Sequence, residues 1–376
     1  MKKLFLSSDW DAVKLVATWW VAINAFAYIV ANRLNMGADT AYLWLQTFLF
    51  PLAHSWNPVP MYVQWDSGWY LSIVEHGYAL HAPGEFANLV FFPLYPLLTK
   101  IAGVVLLGNY GMAGWLVSST ALVGACVVFS RLVREFHPGV DARLVLVFLL
   151  LFPTAFFLNA VYTESLFLLL SVASIYNARK ERWWVAGVIG IFAALTRVTG
   201  ILLVLPLAWE YARANDFNLR KMARVDALAA GLPALGTLAF FLFHYVVFDN
   251  FLIFFELQRA WGRAFTFNPD HFHFLSHPAI TNFGLDIFFV ALGLVASIYM
   301  AWRVRASYGL YMLATIGVAL ATGTTVSIGR YILVLFPMYI AFASIKSEYI
   351  RWGWLFFSGL LFALYTILFV HGHWAG

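Results

Sequence analysis

Apolar runs of about 20 residues recur along the whole chain, and short polar segments between them hold most of the charged residues. In hydrocarbon such a run must be helical, because every backbone N–H and C=O has to be paired within the segment. The pattern therefore predicts an all-α, polytopic membrane protein with about 11 transmembrane helices. The candidate helices are 12–31, 111–131, 144–160, 162–178, 226–248, 284–302, 308–322, 330–345 and 352–371, with a broken pair inside 183–211.

The stretch at 89–107 is apolar but departs from the pattern of a full crossing. It contains Pro93, Pro96 and Lys100. Prolines interrupt the helical hydrogen bonds, and a lysine exposed to lipid is energetically unfavourable. If this stretch crossed the membrane fully, every later loop would change sides, and the basic clusters would fall on the outer side. We therefore predict that 89–107 is a re-entrant or partial helix.

Two predicted outer loops are long for connections between membrane helices. The first covers 32–88 and includes a predicted interfacial helix at 41–53, which is rich in Trp, Leu and Phe. The second covers 249–283. Long ordered loops commonly carry function, so we expect functional residues in or beside them. The sequence contains no internal repeat and no separate soluble segment, so 1–376 is predicted to be a single transmembrane domain.

Composition and charge support the membrane interpretation. Hydrophobic residues make up 62% of the chain and charged residues 11%, whereas soluble domains contain about 25% charged residues. The net charge of +5 is spread over short clusters, which argues against a nucleic-acid partner. With the N-terminus inside, most basic residues fall on the cytoplasmic side, as the positive-inside rule requires. The outer segments keep only Arg33, Lys100, Arg197, Arg259, Arg263 and Arg330.

The strongest candidate for chemistry lies in the first outer loop, at 64–70 (QWDSGWY). Here the carboxylate of Asp66 stands among the aromatic rings of Trp65, Trp69 and Tyr70. Aromatic faces suit a sugar or the membrane boundary, and a carboxylate suits a general base for a hydroxyl group. The alternative is an interfacial aromatic belt in which Asp66 caps the following helix.

A second acidic motif occupies a tight outer turn at 162–165 (YTES). Glu164 is an ionisable residue at membrane depth, which indicates function, although it can also cap the helix that begins there. Tyr162 is part of the same motif, and we expect Tyr162 and Glu164 to contact the acceptor or the sugar.

Two arginines, Arg197 and Arg330, fall near the outer ends of apolar segments. Tyr331 follows the second arginine, and we expect it to contact the acceptor or the sugar. Guanidinium groups bind phosphate in a bidentate manner, and a lipid phosphate lies at this depth. The alternative for each arginine is snorkelling to lipid headgroups.

Other chemistries are not favoured. His271, His273 and His277 follow Asp270 in the second long loop, but their spacing matches no helical metal-binding motif, and Cys126 is the only cysteine. The phosphate-binding glycine loop of ATP-driven transporters is missing from the sequence. We predict no cofactor and no metal.

Several motifs together resemble one known family. The segment 64–78 (QWDSGWYLSIVEHGY), followed by 91–96 (FFPLYP), is similar to the PIG-V family of GPI mannosyltransferase II and its bacterial relatives, which belongs to the GT-C superfamily of membrane glycosyltransferases. The similarity covers most of the chain in the expected order, continuing through 152–153 (FP), 162–165, Arg197 and 329–331 (GRY).

The resemblance implies a transferase that moves mannose from a polyprenyl (dolichyl-type) phosphate on the non-cytoplasmic face. It implies that Asp66 is the catalytic base, that Glu164 matches the second acidic motif, and that Arg197 and Arg330 match the basic positions. This sequence departs from the family at Gln64, where the family usually has Arg before the Trp-Asp pair. The phosphate or acceptor contact that this arginine makes in the family therefore does not carry over to this chain, and the resemblance does not identify the precise acceptor.

The expected reaction is an inverting displacement at the anomeric carbon of the lipid-linked sugar. Asp66 accepts the proton of an acceptor hydroxyl, and Arg197 and Arg330 stabilise the departing phosphate. We expect these three residues to share a cavity at the surface of a bacterial-type inner membrane. The acceptor is a glycolipid, a glycan or a protein. The rival function is a transporter or flippase of a lipid-linked saccharide, although such proteins commonly show repeats that are missing here.

Overall fold

The computed structural model describes residues 7–34, 36, 59–80, 86–263 and 283–375, and every regular element in these ranges is a helix. The predicted interfacial helix at 41–53 lies outside the described residues. The α-helices, in chain order, are α1 (Ser7–Arg33), α2 (Val59–Tyr62), α3 (Ser67–His76), α4 (Leu94–Val105), α5 (Tyr110–Phe136), α6 (Ala142–Leu150), α7 (Glu164–Arg179), α8 (Trp183–Ala194), α9 (Val204–Ala214), α10 (Leu219–Met222), α11 (Pro233–Phe248), α12 (Ile253–Gln258), α13 (Phe283–Tyr299), α14 (Ala306–Ala321), α15 (Ile328–Leu333), α16 (Pro337–Ala343) and α17 (Glu348–Val370).

Short helices of other types connect several of these elements. A π-helical turn, Met300–Val304, continues α13. The 3₁₀ helices are Asn88–Val90, Ala155–Leu158, Val198–Leu203, Val225–Gly231 and Arg259–Trp261.

Four helices in the described ranges are long and apolar enough to cross a membrane. The consecutive helices Val225–Gly231 and Pro233–Phe248 are bent by 55° relative to each other. If this pair forms one span, the number of crossings in the described ranges is five. The all-α, polytopic class is thus confirmed, while the predicted number of about 11 crossings is not. The four long spans are Asp9–Arg33, Tyr110–Phe136, Gly284–Val304 and Glu348–Val370.

Prolines explain where the predicted helices were too long. The prediction of a helix at 144–160 is wrong, because α6 ends at Leu150 and Pro153 follows soon after. Proline lacks the N–H that continues the helical ladder and disfavours helical geometry in the residue before it. In the same way, the predicted helix 330–345 is divided into α15 and α16, the second of which begins at Pro337.

The 12 residues of α4 span about 18 Å, which is short of the roughly 30 Å of a bilayer core. The re-entrant or partial insertion of 89–107 stays a prediction. The predicted break inside 183–211 is present, because α8 ends at Ala194 and α9 begins only at Val204.

The described chain divides into two compact units. Unit 1 contains the described residues of 1–75, 95–169 and 339–376, and unit 2 those of 76–94 and 170–338. The organisation of 1–376 as one functional domain stays a prediction.

In unit 1, helix α1 packs against α5 and α17. The carboxylate of Asp9, which is fully buried, joins α1 to α5 by accepting hydrogen bonds from Arg131 Nη2 at 2.7 Å and Arg134 Nη2 at 2.8 Å. Trp20 and Trp115 add a ring contact between the same helices, with centroids 5.1 Å apart. The first long span is therefore anchored by charge at one end and by aromatic packing further along.

In unit 2, helix α8 packs closely against α11. A Cβ atom on Gly236 of α11 would lie 2.4 Å from the Ile191 carbonyl oxygen of α8, so only glycine allows this approach. Elsewhere in the unit, Arg305 donates from Nε to Glu210 Oε1 at 2.8 Å. The Ser307 hydroxyl also donates to the Glu210 carboxylate, which satisfies a charge that is almost fully buried.

Candidate functional site

Asp66 lies in the turn that separates α2 from α3. Helix α2 ends at Tyr62, α3 begins at Ser67, and Trp65 has a φ of 54°. This left-handed backbone is uncommon for a residue with a side chain, so the turn is conformationally demanding. The Asp66 carbonyl accepts from the Trp69 N–H at 3.0 Å, which puts Asp66 in the capping position of α3. Its side chain is half-buried.

Tyr162 holds this turn from another part of the chain. Its hydroxyl donates to the Gln64 carbonyl at 3.0 Å and accepts from the Asp66 N–H at 3.1 Å. The Tyr162 side chain is fully buried, and its ring contacts Phe157 with centroids 4.9 Å apart. The peptide groups on both sides of Trp65 are thus hydrogen-bonded to one fully buried phenol.

The rest of the second acidic motif lies beside the same turn. The Thr163 and Tyr70 hydroxyl groups are 3.4 Å apart, and Glu164 is fully buried in the first turn of α7. The Tyr162 carbonyl accepts from the Ser118 hydroxyl at 3.1 Å, which ties the motif to α5. Unit 1 therefore brings together two motifs that the sequence analysis singled out separately.

The aromatic residues of the first motif differ in exposure. Tyr70 and Trp69 are 5% and 9% exposed, so their rings form part of the packed interior of unit 1. Trp65 is half-buried and meets Trp374 edge to face at a centroid distance of 5.3 Å. Contact between these aromatic residues and a sugar or acceptor stays a prediction, as it does for Tyr162, Glu164 and Tyr331.

The two predicted arginines belong to unit 2. Arg197 lies in the break between α8 and the 3₁₀ helix Val198–Leu203, where its backbone is extended. Its guanidinium carbon is 5.4 Å from the centroid of the Tyr331 ring, a distance suited to a cation–π interaction. Arg330 lies in α15 and is 5% exposed. The structure thus brings Arg197 to the residue that follows Arg330.

Sequence reasoning missed a third arginine in this region. Arg263 Nη1 donates to the Tyr331 hydroxyl at 3.1 Å, and its Nη2 donates to the Val326 carbonyl at 3.4 Å. The guanidinium carbon lies 5.9 Å from the Tyr331 ring centroid. Arg263 is 68 positions from Tyr331 in sequence, and the charge pattern marked it only as an outer basic residue. We name Arg197, Arg263, Arg330 and Tyr331 the arginine cluster.

A carboxylate also lies near the segment that carries the cluster. Asp286, which is 8% exposed, accepts a hydrogen bond from the Thr325 hydroxyl at 2.9 Å. Thr325 comes just before Val326, the residue that accepts from Arg263. The segment is therefore fixed by side chains from two other parts of unit 2.

The residues that the structure describes include no group of three or more His, Cys, Asp or Glu side chains placed to hold a metal ion. Asp270, His271, His273 and His277 lie outside those residues. The absence of a metal and of a cofactor stays a prediction, as does the shared cavity expected for Asp66 and the two arginines.

Comparisons with known proteins agree with the motifs. The sequence model of the family described as mannosyltransferase (PIG-V) matches residues 52–251, more than half of the chain. A curated relative, GPI mannosyltransferase 2 of Yarrowia lipolytica (strain CLIB 122 / E 150), is 28% identical over 203 residues. That match covers 53% of this chain and 53% of the relative, so the chain spans about half the length of the relative.

The chain is similar to two solved structures of the oligosaccharyltransferase from Archaeoglobus fulgidus, each with 13% sequence identity. One, a complex with Zn and sulfate, gives a TM-score of 0.44 and covers 94% of this chain and 53% of the other. The second, AglB in complex with an inhibitory peptide and a dolichol-phosphate, gives a TM-score of 0.43 and covers 95% of this chain and 56% of the other.

The family match includes Asp66, Tyr162, Glu164 and Arg197, which are residues that the motifs singled out and whose local geometry is described above. The chain belongs to the PIG-V family of mannosyltransferases.

Proposed function

We propose that the protein is an inverting glycosyltransferase that moves a sugar from a polyprenyl (dolichyl-type) phosphate to an acceptor hydroxyl on the non-cytoplasmic membrane face. Membership of a mannosyltransferase family favours mannose as the sugar. The observation that carries the proposal is the pair of hydrogen bonds that the Tyr162 hydroxyl makes around Asp66. A carboxylate whose backbone is held in place can accept the proton of a hydroxyl group that binds beside it.

The proposed chemistry is a single displacement. The Asp66 carboxylate accepts the proton of the acceptor hydroxyl as that oxygen forms a bond to the anomeric carbon. The bond from the anomeric carbon to the phosphate oxygen breaks, and its electron pair leaves with the polyprenyl phosphate. One displacement inverts the anomeric configuration. A phosphate ester is already an activated leaving group, so the reaction requires no nucleotide.

The arginines have the complementary role of binding the donor phosphate. Guanidinium groups present paired N–H donors that match phosphate oxygens, and they keep their charge at any physiological pH. Fixed cations stabilise developing negative charge more effectively than mobile water does. We assign Arg197 and Arg330 to the donor phosphate. The acceptor hydroxyl belongs to a glycolipid, a glycan or a protein.

The test uses the full chain purified into proteoliposomes, with polyprenyl phosphate carrying radiolabelled mannose as donor. The acceptor probes are octyl α-mannoside, mannobiose and a serine-containing peptide, each in a separate reaction. Release of polyprenyl phosphate reports cleavage of the donor, and label in a probe reports transfer. We expect both with at least one probe. Movement of a fluorescent lipid-linked saccharide across the bilayer, with no release of polyprenyl phosphate, contradicts the proposal and supports a flippase.

Asp66→Asn tests the base. This change keeps the size of the side chain and removes its basicity, so we expect turnover to fall about 100-fold or more while the protein stays folded. Glu75→Gln is the matched control, because Glu75 is an exposed carboxylate on the neighbouring helix α3. Near-normal turnover of Asp66→Asn would falsify the role of Asp66 as base.

Arg197→Ala tests the donor site. We expect a higher KM for the donor and slower release of polyprenyl phosphate, because one phosphate contact is lost. The control is Arg259→Ala, an exposed arginine of the same unit. Unchanged kinetic constants in Arg197→Ala place the phosphate elsewhere.

A further inference from the structure

Two guanidinium groups of the arginine cluster share one aromatic ring. The guanidinium carbons of Arg197 and Arg263 lie 5.4 Å and 5.9 Å from the centroid of Tyr331, so they are no more than about 11 Å apart. Arg330, the residue before Tyr331, adds a third positive charge with little exposure to solvent. Three guanidinium groups therefore belong to one tyrosine-centred group of residues in unit 2.

Hydrogen bonding gives Arg263 a fixed direction within the cluster. One guanidinium nitrogen donates to the Tyr331 hydroxyl and another donates to the Val326 carbonyl. A phenol hydroxyl can accept and donate at the same time. Because Tyr331 accepts from Arg263, its own O–H can point to a different acceptor, such as an anionic oxygen. Arg263 and Tyr331 therefore form a pair of donors that is already in place.

The charge on the phosphate changes during the proposed reaction, and this change indicates what a third arginine does. The donor is a phosphodiester with one negative charge. The leaving polyprenyl phosphate is a monoester with a charge of about −1.5 to −2 at pH 7. Groups that bind the more highly charged state more strongly lower the barrier, because catalysis depends on the difference between transition-state and ground-state binding.

We propose that Arg263 is a third phosphate-binding arginine and that, with Tyr331, it stabilises the phosphate as it leaves the sugar. This inference rests on the proposed function. In the step concerned, the acceptor oxygen bonds to the anomeric carbon and its proton passes to Asp66. The bond from the anomeric carbon to the phosphate oxygen breaks, and that oxygen keeps the electron pair. The extra negative charge appears on the phosphate, where Arg263 and the Tyr331 hydroxyl can contact it.

The experiment compares Arg263→Ala, Arg263→Lys and Tyr331→Phe with the control Arg259→Ala in proteoliposomes. Three quantities are measured: kcat, KM for the donor and the inhibition constant of polyprenyl phosphate. We expect Arg263→Ala to lower kcat about 100-fold, the effect of losing one preorganised donor. The inhibition constant of polyprenyl phosphate should rise about tenfold or more, because the product binds more weakly. The KM for the monoanionic donor should rise by a smaller factor.

The conservative variants separate a direct role from a structural one. Arg263→Lys keeps the positive charge, so we expect polyprenyl phosphate to inhibit it more strongly than it inhibits Arg263→Ala. Tyr331→Phe keeps the ring and removes the hydroxyl, so we expect weaker inhibition by polyprenyl phosphate than in the unmodified protein. A structural role alone would alter unfolding temperature and change KM and the inhibition constant by the same factor. That result, or unchanged kcat and product inhibition in a folded Arg263→Ala protein, overturns the inference.

A separate measurement distinguishes failure of this inference from failure of the proposed function. If the unmodified protein releases no polyprenyl phosphate from the labelled donor, the proposed transferase function fails. In that case the phosphate site is tested separately. Titration calorimetry in detergent measures the binding of citronellyl phosphate, a short polyprenyl-type monoester. Weaker binding by Arg263→Ala than by Arg259→Ala supports the site, and equal binding overturns it.

Discussion

The backbone N–H of Asp66 donates to the hydroxyl of Tyr162 at 3.1 Å, across 96 positions of sequence. The same hydroxyl donates to the Gln64 carbonyl, so it bonds on both sides of Trp65. Trp65 adopts a left-handed backbone, a conformation that persists only where neighbouring structure holds it. The position of the proposed base therefore depends on a residue of the second acidic motif.

Tyr162→Phe tests this dependence. The substitution keeps the ring and removes the hydroxyl, leaving a backbone N–H and a carbonyl without this partner, at a free-energy cost of about 1–3 kcal/mol. We expect turnover to fall at least tenfold, because the Asp66 carboxylate loses its fixed position. Turnover and the free energy of unfolding in detergent are both measured. Tyr245→Phe, at a residue 55% exposed, is the control. Full activity in Tyr162→Phe shows that the turn holds Asp66 without this hydroxyl.

Asp9→Asn should destabilise unit 1. Asp9 is fully buried, while Arg131 and Arg134 are about one-third exposed. The substitution removes the carboxylate that pairs with both guanidinium groups and leaves these two like charges close together. We therefore expect the free energy of unfolding to drop by about 3 kcal/mol. Chemical unfolding in detergent measures the change. Asp11→Asn is the matched control, because Asp11 is 55% exposed and its distance to Arg143 is 3.9 Å. Equal effects of the two substitutions are incompatible with this assignment.

Gly236→Ala should destabilise unit 2, because the added methyl group collides with the Ile191 carbonyl. Overpacking of this kind costs about 1–3 kcal/mol, even though alanine favours a helix more than glycine does. Gly317→Ala is the control, since a Cβ atom there enters open space in α14. We expect Gly317→Ala to be neutral or stabilising by up to about 1 kcal/mol. Thermal unfolding of the purified variants measures both effects, and a neutral Gly236→Ala indicates that α8 and α11 can move apart.

Hydropathy alone was sufficient for the long spans. The predicted helices 12–31 and 111–131 correspond to α1 and α5, and 352–371 corresponds to α17. It was insufficient where an apolar run contains a proline, as at Pro153 and Pro337. The physical reason is that hydropathy averages over a window, whereas one proline removes a hydrogen bond at one position.

The candidate site was predictable only in part. Motif spacing led to Asp66, Tyr162, Arg197 and Arg330 as separate candidates, each on chemical grounds. It did not lead to Arg263, because a single basic residue in an outer loop has no local pattern that distinguishes binding from solvation. The contact with Tyr331 is visible only in the folded chain.

By itself the sequence determined the helical class, the membrane environment and the family, because these depend on local hydrophobicity and on motifs along the chain. Tertiary structure decided which hydroxyl holds the Asp66 turn and which carboxylate pairs with which arginine. It also decided that Arg197 and Arg263 both lie at the ring of Tyr331. The reason is that hydrocarbon forces each apolar segment to satisfy its backbone internally, whereas side-chain partners come from helices far apart in sequence. Packing between those helices, which no local pattern encodes, selects them.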